Sequence, residues 1–398
     1  MRVSTAMFQQ ASLDALLKQQ GDISKTQQQL STGKRILTPA DDPIASATLV
    51  DINQSIAVYE QFNRNADQAE MRLGQEESVL KSVSNALHRA RELAVQGNND
   101  SYSADQRKDI AAEVRQILDE VLTLANTTDG NNNFLFSGTL SNTKPFSQVE
   151  PGSGIDSTFS YHGDQGQRRI QVGPQRTVPD SDSGFEVFGK VRLPMVELGP
   201  ISRMDYSNPD NHASLDIDGR PIVLTDNYPD IDAMAADIQS QLNADGERYE
   251  VSTERGFLHI RNTTPGAGPV NIRVDQDDYA HEAGFRSASS MVSVFEAIDK
   301  LAVALERDTM SGSRIDALDA SLSHVVEFQS TIGARMNSVD RQREVNDELV
   351  FRMTTIKSEM EDLDYASTIS KMNMQMAGMQ AAQQTFSRVQ NLSLFNYL

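Results

Sequence analysis

Helix-breaking residues are concentrated in the middle of this chain. Of its 13 prolines, two lie in residues 1–140, eleven in 141–290 and none in 291–398, while the glycines divide as 6, 14 and 3 over the same stretches. Proline in a helix interior costs about 3 kcal/mol and glycine about 1. Two arms free to form long helices therefore flank a turn-rich insert. A length of 398 residues leaves room for roughly two to three domains.

The apolar residues of the arms recur at alternating steps of three and four, the spacing of one helix face. In the N-terminal arm the seam runs Ala45, Leu49, Ile52, Ile56, Tyr59, Ala66, Leu73, Leu80, Val83, Leu87, Ala90 and Ala94, with a slip of one short step near Ala66 and Ala69. Asp42 before Pro43 makes a helix start, a capping acceptor followed by a preset φ, and Gly97 an end. Ser103 with Gln106 reads as a capping box opening a second stripe through Ile110, Val114, Ile117, Val121 and Leu124. The C-terminal seam extends from Ile315 through Leu318, Val325, Ile332, Val339, Asn346 and Met353 to Leu363. One helix that long cannot bury its own seam, so helices of both arms must lie side by side.

The insert changes period from 3.6 to 2. Short strands are expected at 158–161, 169–172 and 185–188, and a β-β-α-β-β-β order over 214–274, with a turn at Gly219 and Arg220 and a helix capped by Asp230. The fold class is thus mainly α, with long antiparallel coiled-coil helices from both chain ends and an inserted α+β, turn-rich region.

The two ends are unusual. Residues 1–38 are rich in Gln and sparse in large apolar groups, and from Tyr365 to Leu398 only Lys371 and Arg388 are charged. A solvated helix ordinarily carries Lys and Glu on its outer face, whereas uncharged amides suit a helix that meets protein on several sides. Ordering a backbone costs roughly 1–2 kcal/mol per residue, more than so few apolar groups offset. Both ends are expected to stay unfolded in the isolated chain and to fold when neighbouring subunits supply surface; the alternative is that they pair with each other. The expected assembly contacts are Leu13, Leu17, Ile23 and Leu30 at one end, and Ile369, Met372, Met376, Met379, Phe386, Leu392 and Leu394 at the other.

Composition narrows the chemistry. Lys and Arg total 36 against 56 Asp and Glu, a formal charge of −20, which opposes a nucleic-acid or anionic-membrane partner. No apolar run reaches the ~20 residues of a membrane span, and the N-terminus lacks the apolar stretch of a cleaved signal. There is no cysteine, so disulfides and thiolate chemistry are excluded. The six histidines lack ligand spacing. His281–Glu282 starts like a zinc-protease helix, but Phe285 takes the place of the second histidine. Asp216-x-Asp218-Gly219 lacks the distal glutamate of a calcium loop, and the methionines of 372–379 read as adaptable packing rather than a soft-metal site. Asp41 and Asp42 read as turn and cap. No catalytic, cofactor or metal site is expected.

Two motifs resemble the bacterial flagellin superfamily. Gln29-Leu-Ser-Thr-Gly-Lys-Arg-Ile36 with Pro39-Ala-Asp-Asp-Pro43 is similar to its N-terminal signature, and Ile332-Gly-Ala-Arg-Met-Asn337 with the run from Glu359 to Leu398 to its C-terminal one. The matching positions are Gly33, Lys34, Arg35, Asp41 and Asp42 in the first, and Gly333, Arg335 and Asn337 in the second. Asn133, Phe134, Phe136, Ser137 and Gly138 resemble a motif of the members that join hook to filament. Pro43, where filament subunits commonly carry Ala, and the ending Leu394-Phe-Asn-Tyr-Leu398 point the same way. The resemblance implies a non-enzymatic, extracellular adaptor without cofactors, exported through the flagellar type III apparatus with a chaperone and assembled as a ring of its own copies. It would bind hook-associated protein 1 on one side and flagellin on the other. A filament flagellin, or a coiled-coil stalk presenting an adhesin-like insert, is the alternative. The implied domains are 1–44 with 357–398, terminal helices disordered in the monomer; 45–140 with 290–356, a helical bundle; and 141–289, an outer insert. Lys34 and Arg35 would lie near the junction of the first two.

Overall fold

A computed structural model of the chain describes residues 5–149, 158–207, 212–244, 246, 248–254, 256–264, 269–274, 285, 288–310 and 312–391. The N-terminal arm forms α1 (Thr5–Thr32), α2 (Pro43–Gly97) and α3 (Ala104–Ala125). Asp42 Oδ1 accepts from the Ala45 N–H at 3.0 Å, which caps α2 where the Asp–Pro pair placed its start. The Ser103–Gln106 box opens α3, each side chain satisfying the other residue's backbone N–H.

The insert begins with β1 (Phe146–Val149), β2 (Thr158–Tyr161), β3 (Arg169–Gly173) and β4 (Arg176–Pro179). The next segment departs from expectation: 185–188 is no strand but part of a short helix, α4 (Gly184–Gly189). Val187 and Phe188 are both buried, and neighbours in sequence share a buried side on a helix turn but face opposite ways on a strand. Gly184 sits so close to Phe136 that an added Cβ would come within 2.7 Å of its carbonyl oxygen. β5 (Val191–Arg192) and β6 (Val196–Leu198) follow.

The expected β-β-α-β-β-β order appears as β7 (Ala213–Ile217), β8 (Arg220–Leu224), α5 (Ile231–Leu242), β9 (Tyr249–Glu254), β10 (Phe257–Asn262) and β11 (Asn271–Val274). Asp230 caps α5 by accepting from the Ala233 N–H at 2.8 Å. The first turn falls on Asp218 and Gly219, one residue earlier than expected. Both have positive φ, 55° and 80°, as a two-residue hairpin of matching twist requires. These strands form two sheets. With β12 (Ala288–Ser289) the orders are β12-β11-β7-β8 and β6-β10-β9, while β13 (Met291–Val292) pairs with β5. The C-terminal arm then forms α6 (Val294–Glu306), α7 (Gly312–Glu361) and α8 (Tyr365–Asn391). At 50 residues, α7 is about 75 Å long.

Two compact units result, residues 1–64 with 342–398 and residues 65–341. The terminal unit reaches further along the chain than 44 and 357, and its small cluster joins Ile36, Ala45 and Leu49 to Met360. A polar bond joins the two long helices there: Asn63 Nδ2 of α2 donates to Asp347 Oδ1 of α7 at 2.6 Å. Beside it Asn346, fully buried, accepts from Gln342 Nε2 one turn back on its own helix at 3.0 Å.

The larger unit contains two substantial cores. The first joins α2, α3, α6 and α7 and takes in Phe136, Phe146, Phe188 and Val191. Residues 141–193 therefore do not belong wholly to an outer insert: their aromatic side chains complete the helical core. Phe188 meets Phe136 edge-on at 5.1 Å and stacks on Phe295 at 5.7 Å, while Phe146 lies 4.9 Å from Phe295. The second core, within residues 196–285, buries α5 against the two sheets. The slip in the α2 seam also has a cause. Ala66 and Ala69 are fully buried with Val172, Val178 and Val339, where the β3–β4 hairpin is received, and Asn65 Nδ2 donates to the Gln171 carbonyl at 2.7 Å. Small residues replace the seam's larger ones where a second element must fit.

Phe136 stands at the meeting of helix and hairpin. Phe136→Ala is expected to destabilise the larger unit by about 3–5 kcal/mol, measured as a lowered midpoint of denaturant unfolding, and Phe136→Leu by less.

Candidate assembly surface

In the terminal unit, α1 and α8 lie antiparallel, so the two terminal helices do meet. Their shared seam is built of hydroxyls, amides and small residues. Thr26, almost fully buried, donates to Gln375 Oε1 at 3.0 Å, and Gln19 Nε2 donates to the Gln375 carbonyl at 3.3 Å. A Cβ at Gly378 would lie 2.6 Å from Gln19 Nε2, so the absent side chain permits close approach.

This polar seam leaves apolar faces uncovered. Ile23 and Leu30 of α1 and Met372, Met379 and Phe386 of α8 are half-buried, but Leu13, Leu17, Ile369 and Met376 are exposed, Leu17 to 57%. Leu392 and Leu394 lie outside the described residues. The sequence seams passed over others: Ile44 is 82% exposed, Phe351 72% and Met374 67%. Their signal was apolar character at positions off the buried spacing. Of the 19 exposed large hydrophobic residues among the described ones, 13 belong to this unit, which is under a third of the chain. Among its described residues it buries only four hydrophobic ones, Ile36, Ala45, Leu49 and Phe62.

The first sequence motif folds the chain back between α1 and α2. Gly33 takes φ +69°, and a Cβ there would lie 2.8 Å from Tyr365 Oη; both demands favour glycine. The Arg35 N–H donates to the Glu361 carbonyl at 2.7 Å and the Leu363 N–H to the Gly33 carbonyl at 2.9 Å. Lys34 pairs with Glu361, and Arg35 Nη2 donates to the Met360 carbonyl at 2.8 Å. Both cations thus hold the end of α7. Asp41 accepts from the N–H groups of Leu37 and Thr38 and pairs with Lys25 at 2.5 Å. The Lys25 ammonium, with those backbone donors, holds its carboxyl down at about 2.

The remaining motif residues lie in the larger unit. Asn133 donates through its backbone and side chain to Asp129. The Phe134 N–H donates to the Ser141 carbonyl, Phe136 enters the aromatic core and Ser137 pairs with Ser183. Gly138, at φ +71°, leaves a space in which a Cβ would lie 2.0 Å from Asp164 Oδ1. Arg335 donates to Asp182 at 2.6 Å, Gly333 faces open space and Asn337 is exposed. The motif residues accordingly shape the chain rather than gather at one site.

Among the described residues no three His, Asp or Glu side chains converge on a metal position, and no helix is long and apolar enough to cross a membrane. Asp216 and Asp218 serve the hairpin: Asp216 accepts from the Gly219 N–H, Asp218 from the Asn271 N–H and the Tyr249 hydroxyl. His281 and Glu282 lie outside the described residues.

The bacterial flagellin N-terminal helical region matches residues 3–141, and the bacterial flagellin C-terminal helical region residues 315–398. Over 395 residues, 99% of each chain, the sequence is 27% identical to flagellar hook-associated protein 3 of Escherichia coli strain K12. It is 25% identical, with the same coverage, to flagellar hook-associated protein 3 of Salmonella typhimurium. The crystal structure of flagellar hook-associated protein 3 from Legionella pneumophila shares the fold, with a TM-score of 0.55 at 22% identity over 78% of this chain and 98% of that one. With both terminal regions matched over more than half its length, and with the apolar faces concentrated on those same ends, the chain belongs to the bacterial flagellin superfamily.

Proposed function

We propose that this chain is a structural adaptor of the bacterial flagellum, joining hook to filament through its terminal helices. The observation that carries the reading is the terminal unit with four buried hydrophobic residues and thirteen large exposed ones. A helix pair with so little core gains its order from neighbours, and those neighbours cover Leu13, Leu17, Ile369 and Met376. The full-length likeness to hook-associated proteins 3 supports the junction as the place. The partners are then the preceding hook-associated protein, flagellin and copies of the chain, outside the cell. The role is mechanical, with no catalysis. In the single chain the terminal helices are ordered weakly, and assembly fixes them.

Deleting the gene is expected to leave intact hooks, with filament protein shed into the medium; filaments that stay attached would refute the junction role. In dilute purified chain, amides in 5–40 and 365–391 are expected to exchange far faster than those of α3 and α6. Slow exchange at both ends would show that the helices need no partner. Leu17→Asp with Met376→Asp alters exposed positions, where stability changes by about 0.5 kcal/mol or less. That variant is expected to keep its thermal midpoint yet fail to retain filaments on hooks.

A further inference from the structure

The larger unit contains a knot of buried charge apart from the exposed apolar faces of the terminal helices. Arg72 and Glu76, one turn apart on α2, are both buried. Arg72 Nη1 donates to Asp129 Oδ2 at 2.7 Å, and its Nε lies 3.8 Å from Asp180 Oδ2. Asp180 also takes Arg168, whose Nε lies 3.0 Å from both carboxylate oxygens. Asp182 takes Arg335 at 2.6 Å and Gln167 at 2.8 Å, and its backbone N–H donates to Glu76. The groups come from α2, α7, the turn after α3 and the segments bordering the β3–β4 hairpin, so the cluster ties four parts of the chain together.

The charges do not balance. Three guanidiniums, of Arg72, Arg168 and Arg335, face four carboxyls, of Glu76, Asp129, Asp180 and Asp182. Each aspartate has a guanidinium partner. Glu76 has no ion pair within bonding distance, and its Oε1 is buried without a hydrogen-bond partner, as are Arg72 Nε and Ser181 Oγ beside it in the cluster. A buried carboxylate with one oxygen unbonded and no cation paired to it is costly to leave charged, and it takes up a proton instead. We infer that Glu76 holds a buried proton that completes the charge balance of this cluster, making the junction of the four segments a lock that loosens as the solution turns alkaline.

The electrostatics agree with the geometry. Burial, then the Asp182 charge, push the Glu76 carboxyl up from 4.5 to about 8, against the opposing pull of Arg335 and Arg72. Because the folded value is the higher one, the stabilisation is fully present below about 4.5 and falls as pH rises, and it is lost above about 8. Within that window one proton separates the closed and open forms, so the opening equilibrium grows about tenfold per pH unit.

The test uses the full chain labelled with carbon-13 at its glutamate carboxyls. One resonance is expected to titrate near pH 8, and it should be missing from the Glu76→Gln protein. If no glutamate resonance of the unsubstituted chain titrates above pH 7, the inference is wrong, whether or not the variant folds. Asp182→Asn removes one negative charge and is expected to lower the alkaline midpoint by about one pH unit; an unmoved midpoint would overturn the charge-balance account. Thermal melting between pH 5 and pH 8 should fall less in Glu76→Gln than in the unsubstituted chain, and parallel curves would count against the lock.

Discussion

Burial is distributed very unequally between the two units, and most other features follow from that inequality. Conformational order must be offset by surface removed from water. The larger unit achieves this internally, through the aromatic contacts around Phe188 and the second core beneath the sheets. The terminal unit does not. Its helices meet through Thr26, Gln19 and Gln375, contacts that specify an alignment but contribute little net stability. Leu17, Phe351 and Ile44 remain in water. A chain that needs neighbours to complete its ends suits assembly better than solitary work, and the superfamily to which it belongs is one of assembling subunits.

Polar groups act differently in the two units. Around Gly33 they determine the path of the chain: Lys34 and Arg35 hold the end of α7, and Asp41 braces the turn leading to α2. These groups are largely solvated, so water screens their attraction and geometry is their main product. In the larger unit, Arg72, Glu76 and their partners lie away from water, where one unbalanced charge matters far more. Five of the thirteen motif residues belong to the solvated group, while Phe136 and Ser137 are fully buried and Arg335 reaches into the charged cluster.

Much of the fold was legible because local chemistry agreed with the long-range result. Asp42 and Pro43 began a helix, Ser103 and Gln106 began another, and the order of strands around Asp230 was readable from alternation alone. The failures had specific causes. Phe185 to Phe188 is rich in aromatic and β-branched character, yet Gly184 packed against Phe136 turns it into a helix that buries two successive side chains. The aromatic residues of 141–193 gave no sign of which core they would enter, since alternation reveals a buried face but not its partner. Arg72 and Glu76 carried no sign of burial in the sequence, because periodic patterning follows apolar residues only. At the ends, the scarcity of apolar residues was plain in the composition, whereas the split between half-buried Met372 and exposed Met376 depends on where the opposite helix lies.

The bond from Asn63 to Asp347 bears on how the long helices line up. An oily seam of even spacing is nearly degenerate: sliding one helix by a turn, about 5.4 Å, exchanges one set of greasy contacts for another. A polar bond that crosses between the helices breaks that degeneracy, because a shifted alignment parts Asn63 on α2 from Asp347 on α7. The pair acts as a vernier, giving rods made of interchangeable parts a single reading along their length.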